Sequence, residues 1–164
     1  MLRTLSLAGL LLSSALILNA QDFDLKGKWY LPKNATVKLN GNSLNATFPK
    51  TEKKITFASL ATYYNQKPLN LTGFQKIEIK FTTSEKIKLA ITISDRKGSL
   101  SNVWPKETYP AGTHTVTFDR ADFKLKNEID LAKISHLVIG CGLWMYDTTE
   151  KPLNLTIDSI RVIK

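Results

Sequence analysis

The residues best suited to recognise a ligand lie between Ser135 and Tyr146, where the chain alternates between two chemically different faces. At the period of two that a strand imposes, one face is apolar and can enter a core: Leu137, Ile139, Cys141, Leu143 and Met145. The opposite face carries His136, Val138, Gly140, Gly142, Trp144 and Tyr146. This pattern predicts a shallow floor of glycines beside an aromatic wall, on which a flat ligand could lie. A structural role is equally compatible, with the glycines at a bulge and the rings packed under a loop.

Sugars are ligands that suit such a surface, because they expose an apolar C–H face and a rim of hydroxyl groups. The rings outside the alternating core positions are the predicted carbohydrate-binding residues: Trp144 first, then Tyr146, Trp104, Tyr109 and Tyr64. For Trp104 and Tyr109, which neighbour prolines, packing at the rim of the fold is the alternative. Trp29 is expected to be a buried anchor. The polar groups that could contact sugar hydroxyls are His136, Asn65, Gln66, Asn102, Arg96 and Asp147, although His136 lies about 26 Å from Trp144 along an extended strand.

Catalytic chemistry finds little support in the sequence. His114, His136 and Cys141 show no zinc-ligand spacing, and there is no Gly-x-Ser-x-Gly motif of a serine nucleophile. A glycosidase would need two carboxylates roughly 5 to 9 Å apart, and a pair such as Asp95 and Glu107 could meet only through the fold. We therefore expect a non-catalytic protein.

The first twenty residues have the pattern of a secretory signal peptide. A single arginine precedes an apolar run from Leu5 to Leu18, and the small Ala20 precedes polar residues. The run is shorter than the roughly 18 to 20 residues of a membrane span, which favours cleavage near Ala20 over an anchor. We expect a signal peptide over residues 1–20, one domain over residues 21–164, and a secreted or periplasmic location. Cys141, the single cysteine, cannot form an internal disulfide.

The chain is basic, with 23 Lys and Arg against 14 Asp and Glu and a formal charge of +9. The lysines are scattered at single positions such as Lys76, Lys80, Lys86 and Lys88, without an arginine-rich stripe. This distribution favours a solvated face over a nucleic-acid surface. Attraction to an acidic polysaccharide or an anionic cell surface stays open, and would weaken with salt.

Alternating apolar and polar residues predict antiparallel strands along the remaining chain, with turns such as Asn40-Gly41 between them. Ile77, Ile79 and Phe81 should face a core, and so should Leu89, Ile91 and Ile93. The other predicted strands are Thr36 to Leu39, Ser43 to Phe48, Lys54 to Ala61, Val103 to Tyr109, Thr113 to Phe118 and Leu153 to Ile163. The last strand changes phase after Ile157, which predicts a bulge at Asp158-Ser159. Helical turns are expected at most near residues 119–123 and 130–133. The fold class is an all-β antiparallel sandwich or barrel, with the sandwich favoured.

Four segments, in order, carry a resemblance to a known family: Leu71 to Phe81, Ala111 to Phe118 with Asp122-Phe123, Asp130 to Ile134, and Leu155 to Val162. Together they resemble the galactose-binding-like jelly-roll domains, which include carbohydrate-binding modules of secreted polysaccharide-degrading enzymes. The resemblance implies a two-sheet sandwich, a concave face or loop rim that binds glycan, and often a structural calcium near the chain termini. Asp22, Asp24 and Asp158 could then contribute oxygen ligands.

These observations lead to one expectation and one alternative. The expectation is an exported, lectin-like protein that stacks the sugar rings of a polysaccharide on an aromatic concave face, alone or beside a separate glycoside hydrolase. The alternative is an extracytoplasmic protein-binding or envelope-associated structural domain, in which the same rings contact a partner protein.

Overall fold

The computed structural model describes residues 20–26, 28–31, 35–49, 58–63, 68–104, 107–125, 129–141 and 152–164. The strands in chain order are β1 Ala20–Asp22, β2 Trp29–Tyr30, β3 Thr36–Asn40, β4 Ser43–Phe48, β5 Ala58–Tyr63, β6 Lys76–Thr83, β7 Ala90–Asp95, β8 Leu100–Val103, β9 Gly112–Asp119, β10 Ile134–Cys141 and β11 Leu153–Ile163. Two 3₁₀ turns, Arg120–Asp122 and Leu131–Lys133, occupy the two places where the sequence allowed helical turns. In the described ranges no helix is long and apolar enough to cross a membrane.

The strands form two antiparallel sheets. Sheet A has the order β3-β4-β11-β6-β9, and β1 pairs with the end of β11. Sheet B has the order β2-β5-β10-β7-β8. Strands that are neighbours in a sheet are mostly distant in sequence, as in the pairing of β11 with β6 and of β10 with β5. The predicted all-β antiparallel sandwich is confirmed.

The core lies between the sheets, where the inward positions of the strands meet. Ile77, Ile79 and Phe81 of β6 are fully buried, as are Ile91 and Ile93 of β7. Burial of each such side chain stabilises the fold by roughly 1.5–3 kcal/mol relative to exposure. The alternation predicted for these strands is confirmed.

The phase change in β11 is absorbed by an irregularity in its pairing with β6. The register shifts between Ile157 and Ser159, where the sequence predicts a bulge. The extra residue lets Leu155 and Ile157 before it, and Ile160 and Val162 after it, all point into the core, where each is fully buried.

The hairpin between β3 and β4 also follows the prediction. Asn40 pairs with Ser43, and Gly41 between them has a φ of +61°. This left-handed conformation is open to glycine at little cost, which explains the glycine at this turn.

Two strand predictions need correction. The strand predicted from Val103 to Tyr109 is wrong, because β8 ends at Val103 and Tyr109 makes only an isolated bridge with Ile87. Pro105 lacks the N–H group that a continuing ladder would use. The strand predicted to end at Ala61 continues to Tyr63. The predicted signal peptide lies outside the described residues except for Ala20.

Candidate functional site

The outer face of sheet B is the face turned away from the core. It carries the outward residues of β10 that the structure describes, which are His136, Val138 and Gly140. Cross-strand pairing places one row of outward residues across all five strands: Tyr30, Ala61, Val138, Thr92 and Asn102. Adjacent strands lie about 4.8 Å apart, so this row is about 19 Å long. His136, Ser94 and Leu100 form a second row beside it. The outer face of sheet B is therefore wide enough for an extended ligand.

Strand β10 forms the middle of this face, and its alternation is as predicted as far as Gly140. Leu137 and Ile139 are fully buried in the core, whereas His136 and Val138 are half-buried on the outer side. Gly140 and its β7 partner Ala90 are also buried, although they occupy outward positions. The exposed part of the face is thus the row through Val138 and the row beside it.

Large apolar side chains are exposed at both edges of this face. Tyr30 on β2 is 45% exposed, while Leu100 and Trp104 at the β8 edge are 57% and 59% exposed. Leu39, on sheet A, is the other large apolar side chain exposed among the described residues. Exposed apolar groups that gather on one face of a soluble protein are typical of a binding surface. Trp104 thus stays a candidate, as the sequence proposed.

Tyr30 is a candidate that the sequence analysis missed. Its neighbour Trp29 is buried, as expected, and donates from Nε1 to the carbonyl oxygen of Leu25 at 2.9 Å. Because successive strand residues point to opposite faces, a buried Trp29 requires an outward Tyr30. The adjacent pair of rings was the signal that could have revealed it. The Nζ atom of Lys28 lies 5.1 Å from the centre of the Tyr30 ring.

Two polar side chains on the face are fixed by a bond to each other. Thr92 and Asn102 are direct partners on β7 and β8, and Thr92 Oγ1 donates to Asn102 Oδ1 at 2.6 Å. Both side chains are half-buried. Asn102 was among the polar groups expected to contact sugar hydroxyls, and it lies on β8 two residues after Leu100 and two before Trp104.

The outer face of sheet A is chemically different from that of sheet B. It carries ion pairs, from Lys76 to Glu78 at 3.3 Å and from Arg161 to Glu78 at 3.7 Å. By contrast, no outward strand position of sheet B in the described ranges holds Asp, Glu, Lys or Arg. The solvated face expected for the scattered lysines is thus formed by sheet A at Lys76 and Lys80.

Tyr109, which the sequence analysis grouped with Trp104, packs against side chains of sheet A. Its ring packs edge-on against the buried Phe81, with centroids 5.3 Å apart, and contacts the ring of His114 at 5.3 Å. Burial and the neighbouring carboxylate of Glu107 both raise the pKa of the Tyr109 phenol above its ordinary value. Tyr109 therefore belongs to the packing between β6, β9 and the segment before β9, on the core side of sheet A.

The remaining rings that the sequence singles out are Trp144, Tyr146 and Tyr64, and they lie outside the described residues. So do the polar candidates Asn65, Gln66 and Asp147. The last described residue before the first two rings is Cys141, which ends β10.

The carboxylates considered for calcium line a cavity of about 430 Å³ between the start of the described chain and the bulge of β11. Asp22 pairs with Arg161 at 3.4 Å, Asp158 accepts from Ser43 Oγ at 3.4 Å, and Asp24 accepts from a backbone N–H two residues later. The described ranges contain no group of three His, Cys, Asp or Glu side chains placed to hold a metal ion. The structural calcium implied by the resemblance stays a prediction, and each of the three carboxylates has a protein partner in this structure.

Asp95, one of the carboxylates considered for catalysis, is instead a buried side chain that accepts hydrogen bonds from backbone N–H groups. Its Oδ1 accepts from the N–H groups of Lys97 at 2.8 Å and Ser99 at 3.0 Å, and its Oδ2 accepts from that of Asp130 at 3.0 Å. Burial raises the pKa of Asp95, but the three backbone donors and the charge of Lys97 lower it by more, so that the pKa lies below its ordinary value. The carboxylate closes the turn between β7 and β8 and ties it to the segment before β10.

Comparison with known proteins gives structural neighbours rather than sequence relatives. No protein-family model and no curated protein matches the chain. The family 11 carbohydrate-binding module from Clostridium thermocellum, in complex with a β-1,3-1,4-mixed-linked tetrasaccharide, has a TM-score of 0.54 at 13% identity, over 87% of this chain and 94% of the module. This likeness covers nearly the whole of both molecules.

Two larger proteins contain the same fold as part of their chains. PfGH50B has a TM-score of 0.64 at 18% identity over 89% of this chain, and the agarase AgWH50C has a TM-score of 0.61 at 12% identity over 87%. In each case the match spans 24% of the larger chain. At these identities the likeness establishes a shared fold, and the expected resemblance to the jelly-roll fold of carbohydrate-binding modules is confirmed.

Proposed function

We propose that this chain is an exported, non-catalytic carbohydrate-binding protein that binds a polysaccharide across the outer face of sheet B. The observation that carries the proposal is the exposure of Tyr30 at one edge of sheet B and of Leu100 and Trp104 at the other, beside outward strand positions that hold no Asp, Glu, Lys or Arg in the described ranges. In the row between Tyr30 and Asn102 lie the small side chains of Ala61, Val138 and Thr92, which leave room for a flat chain of sugars to approach the sheet.

The exposed rings would supply the stacking that a sugar requires. An indole or phenol ring covers the apolar C–H face of a pyranose, while the hydroxyl rim turns towards polar side chains such as Asn102 and Thr92. A row of about 19 Å accommodates several sugar units, so we propose an oligosaccharide that runs across the strands. The dissociation constant at a single site should be micromolar to millimolar. The free energy gained from ring stacking and a few solvent-exposed hydrogen bonds exceeds only slightly the entropy lost when the sugar and the side chains are ordered.

The structural neighbours support this class of ligand. One is a carbohydrate-binding module in complex with a mixed-linked tetrasaccharide, and another is an agarase. The predicted signal peptide over residues 1–20 supports a secreted or periplasmic location, where polysaccharide is encountered. A separate glycoside hydrolase is the proposed functional partner.

The aromatic residues beyond the described ranges complete the proposed site. Trp144 and Tyr146 continue the outward alternation of β10 in the sequence, and Tyr64 directly follows β5. We propose that these rings extend the surface that Trp104 and Tyr30 begin. Tyr109 is left out of it, since its ring packs on Phe81.

A second candidate function is favoured by Leu100, an aliphatic side chain that is 57% exposed and has no stacking role with sugars. An apolar patch of Leu100 and Trp104 also suits the contact of a partner protein in the extracytoplasmic space or the envelope. The binding experiment below distinguishes the two functions.

Retention on polysaccharides tests the proposal. The protein is passed through native gels that contain mixed-linked β-glucan, agarose-derived or other neutral polysaccharides, and Trp104→Ala is compared with Leu39→Ala. Both changes remove an exposed apolar side chain, but Leu39 lies on sheet A. We expect wild type and Leu39→Ala to be retarded equally, and Trp104→Ala to bind at least about tenfold more weakly, because it loses the apolar area that covers the sugar.

Two results would count against the proposal. If the folded wild type is retarded by none of the polysaccharides, the protein-binding alternative is favoured. If wild type and Trp104→Ala are retarded equally, the ligand binds elsewhere on the molecule.

A further inference from the structure

The hydrogen bond between Thr92 and Asn102 fixes which groups this pair offers to a ligand. Thr92 has one hydroxyl hydrogen, and it is used in the 2.6 Å bond to Asn102 Oδ1. Asn102 Oδ1 is thereby engaged, and the side-chain amide cannot rotate freely. What the pair retains is the two N–H donors of Asn102 Nδ2, both lone pairs of Thr92 Oγ1 and one lone pair of Asn102 Oδ1.

These groups complement two neighbouring sugar hydroxyls. A hydroxyl both donates and accepts, so one can accept from Asn102 Nδ2 while the next donates to Thr92 Oγ1. The two protein groups are held side by side by a direct cross-strand pairing, which lowers the entropy lost when a ligand binds. A pair of adjacent hydroxyls is a feature that distinguishes one polysaccharide from another.

The surroundings of the pair favour an uncharged ligand. Leu100 occupies the outward position before Asn102, the exposed Trp104 directly follows β8, and the described outward strand positions of sheet B hold no acidic or basic side chain apart from His136. Lys28, beside Tyr30, lies at the opposite edge. Lys76 and Lys80, by contrast, occupy outward positions of β6 on sheet A.

We infer that Asn102 determines the glycan specificity of this face, and that Thr92 positions its amide to bind adjacent hydroxyl groups of a neutral polysaccharide. The inference rests on the proposed function and adds to it the class of ligand and the residue that selects it. Stacking on Trp104 supplies affinity for many sugars, whereas the amide selects those whose hydroxyls it can reach.

Sheet A offers a matched control. Thr47 Oγ1 donates to Asn154 Oδ1 at 2.9 Å, and these two residues are also direct cross-strand partners. The same pair of side chains therefore occurs on both faces of the sandwich. The pair on sheet B lies close in sequence to the exposed Trp104, and its row holds no acidic or basic side chain at the described strand positions.

The test measures affinity by titration calorimetry for a neutral oligosaccharide retained in the gels and for its fully O-methylated derivative. The protein is produced in bacteria, and its fold is checked by near-ultraviolet circular dichroism. The variants are Asn102→Asp and Asn102→Ala, with Thr92→Val and Thr92→Ser for the positioning role. Asn154→Asp and Thr47→Val are the controls.

We expect Asn102→Asp and Asn102→Ala to lower affinity for the native oligosaccharide about tenfold, the value of one hydrogen bond of about 1.4 kcal/mol. Thr92→Val should weaken binding about threefold, and Thr92→Ser should restore it. The methylated ligand should bind wild type and the Asn102 variants alike. The controls on sheet A should bind like wild type, and affinity should change less than about twofold between roughly 0.05 and 0.5 M NaCl.

The inference is overturned if the Asn102 variants bind the native oligosaccharide like wild type while Trp104→Ala does not, a result that leaves the proposed function standing. It is also overturned if dextran sulfate binds more tightly than the neutral glycan in a salt-dependent way. If no glycan binds wild type, the proposed function and this inference fail together.

Discussion

Replacing Asp95 with asparagine changes one atom of a side chain that is only 1% exposed. The amide oxygen of the variant can still accept from the N–H groups of Lys97 and Ser99. The amide nitrogen then faces the N–H of Asp130, so one hydrogen bond is lost and two donors oppose each other. A bond to a charged acceptor contributes about 1.5–3 kcal/mol, and the two remaining bonds weaken when the charge is removed.

We therefore expect Asp95→Asn to lower the free energy of unfolding by about 3 kcal/mol at pH 7. For a domain of this size that corresponds to a decrease in Tm of roughly 10 °C. The assay is urea unfolding followed by tryptophan fluorescence. Asp130→Asn is the control, because an amide oxygen can still accept from Ala132 N, and the ion pair that is lost, to Lys133 at 3.7 Å, is exposed to solvent. It should cost less than about 0.5 kcal/mol.

The effect of Asp95→Asn should also depend on pH. Since the folded-state pKa of Asp95 is lowered, its stabilisation is complete above the unfolded value of about 3.9 and is lost as pH falls through the folded-state pKa. The difference between wild type and variant should be constant from about pH 5 to 7 and should shrink at lower pH, where both side chains are neutral. A loss below about 1 kcal/mol at pH 7, or a difference that persists unchanged in acid, would refute this account.

Three further changes test other parts of the fold. Trp29→Phe keeps an aromatic side chain but removes the donor to Leu25 O. Urea unfolding should show a loss of about 1–2 kcal/mol, whereas an unchanged midpoint contradicts the anchor role. Gly41→Val places a branched side chain at a φ of +61°, and a decrease in stability of more than about 1 kcal/mol is expected, with unchanged stability arguing against this turn. Tyr109→Phe removes a phenol whose pKa is raised by burial and by Glu107. Wild type should therefore lose stability relative to the variant as pH rises above about 10, and parallel stability profiles of the two proteins would contradict this expectation.

The strands and the bulge could be predicted because burial of one face of each strand requires apolar and polar residues to alternate in the sequence. Ile77 and Ile79 alternate with charged residues that face solvent, and the change of phase from Ile157 to Ile160 has no solution without an extra residue in β11. The pairing of strands that are distant in sequence, such as β10 with β5, produces no comparable pattern in the sequence. It depends on how the two sheets close around the core.

The candidate site could be predicted only in part, for a related reason. The outward alternation of β10 was visible, but the row that joins Tyr30 to Asn102 exists only once five strands are placed side by side. Both Trp104 and Tyr109 neighbour a proline, so the sequence could not tell which of the two rings is exposed. One lies exposed beyond the last residue of β8, and the other packs on Phe81.

The most direct test of the binding face is residue-by-residue mapping by nuclear magnetic resonance. The amide signals of the folded protein are followed during titration with a mixed-linked β-glucan tetrasaccharide or another neutral oligosaccharide that the gels identify. The account predicts shifts concentrated in Ala90–Asp95, Leu100–Val103 and Ile134–Cys141, and at the indole N–H of Trp104. Shifts concentrated in β3, β4, β6 or β9 of sheet A, with sheet B unaffected, would contradict it.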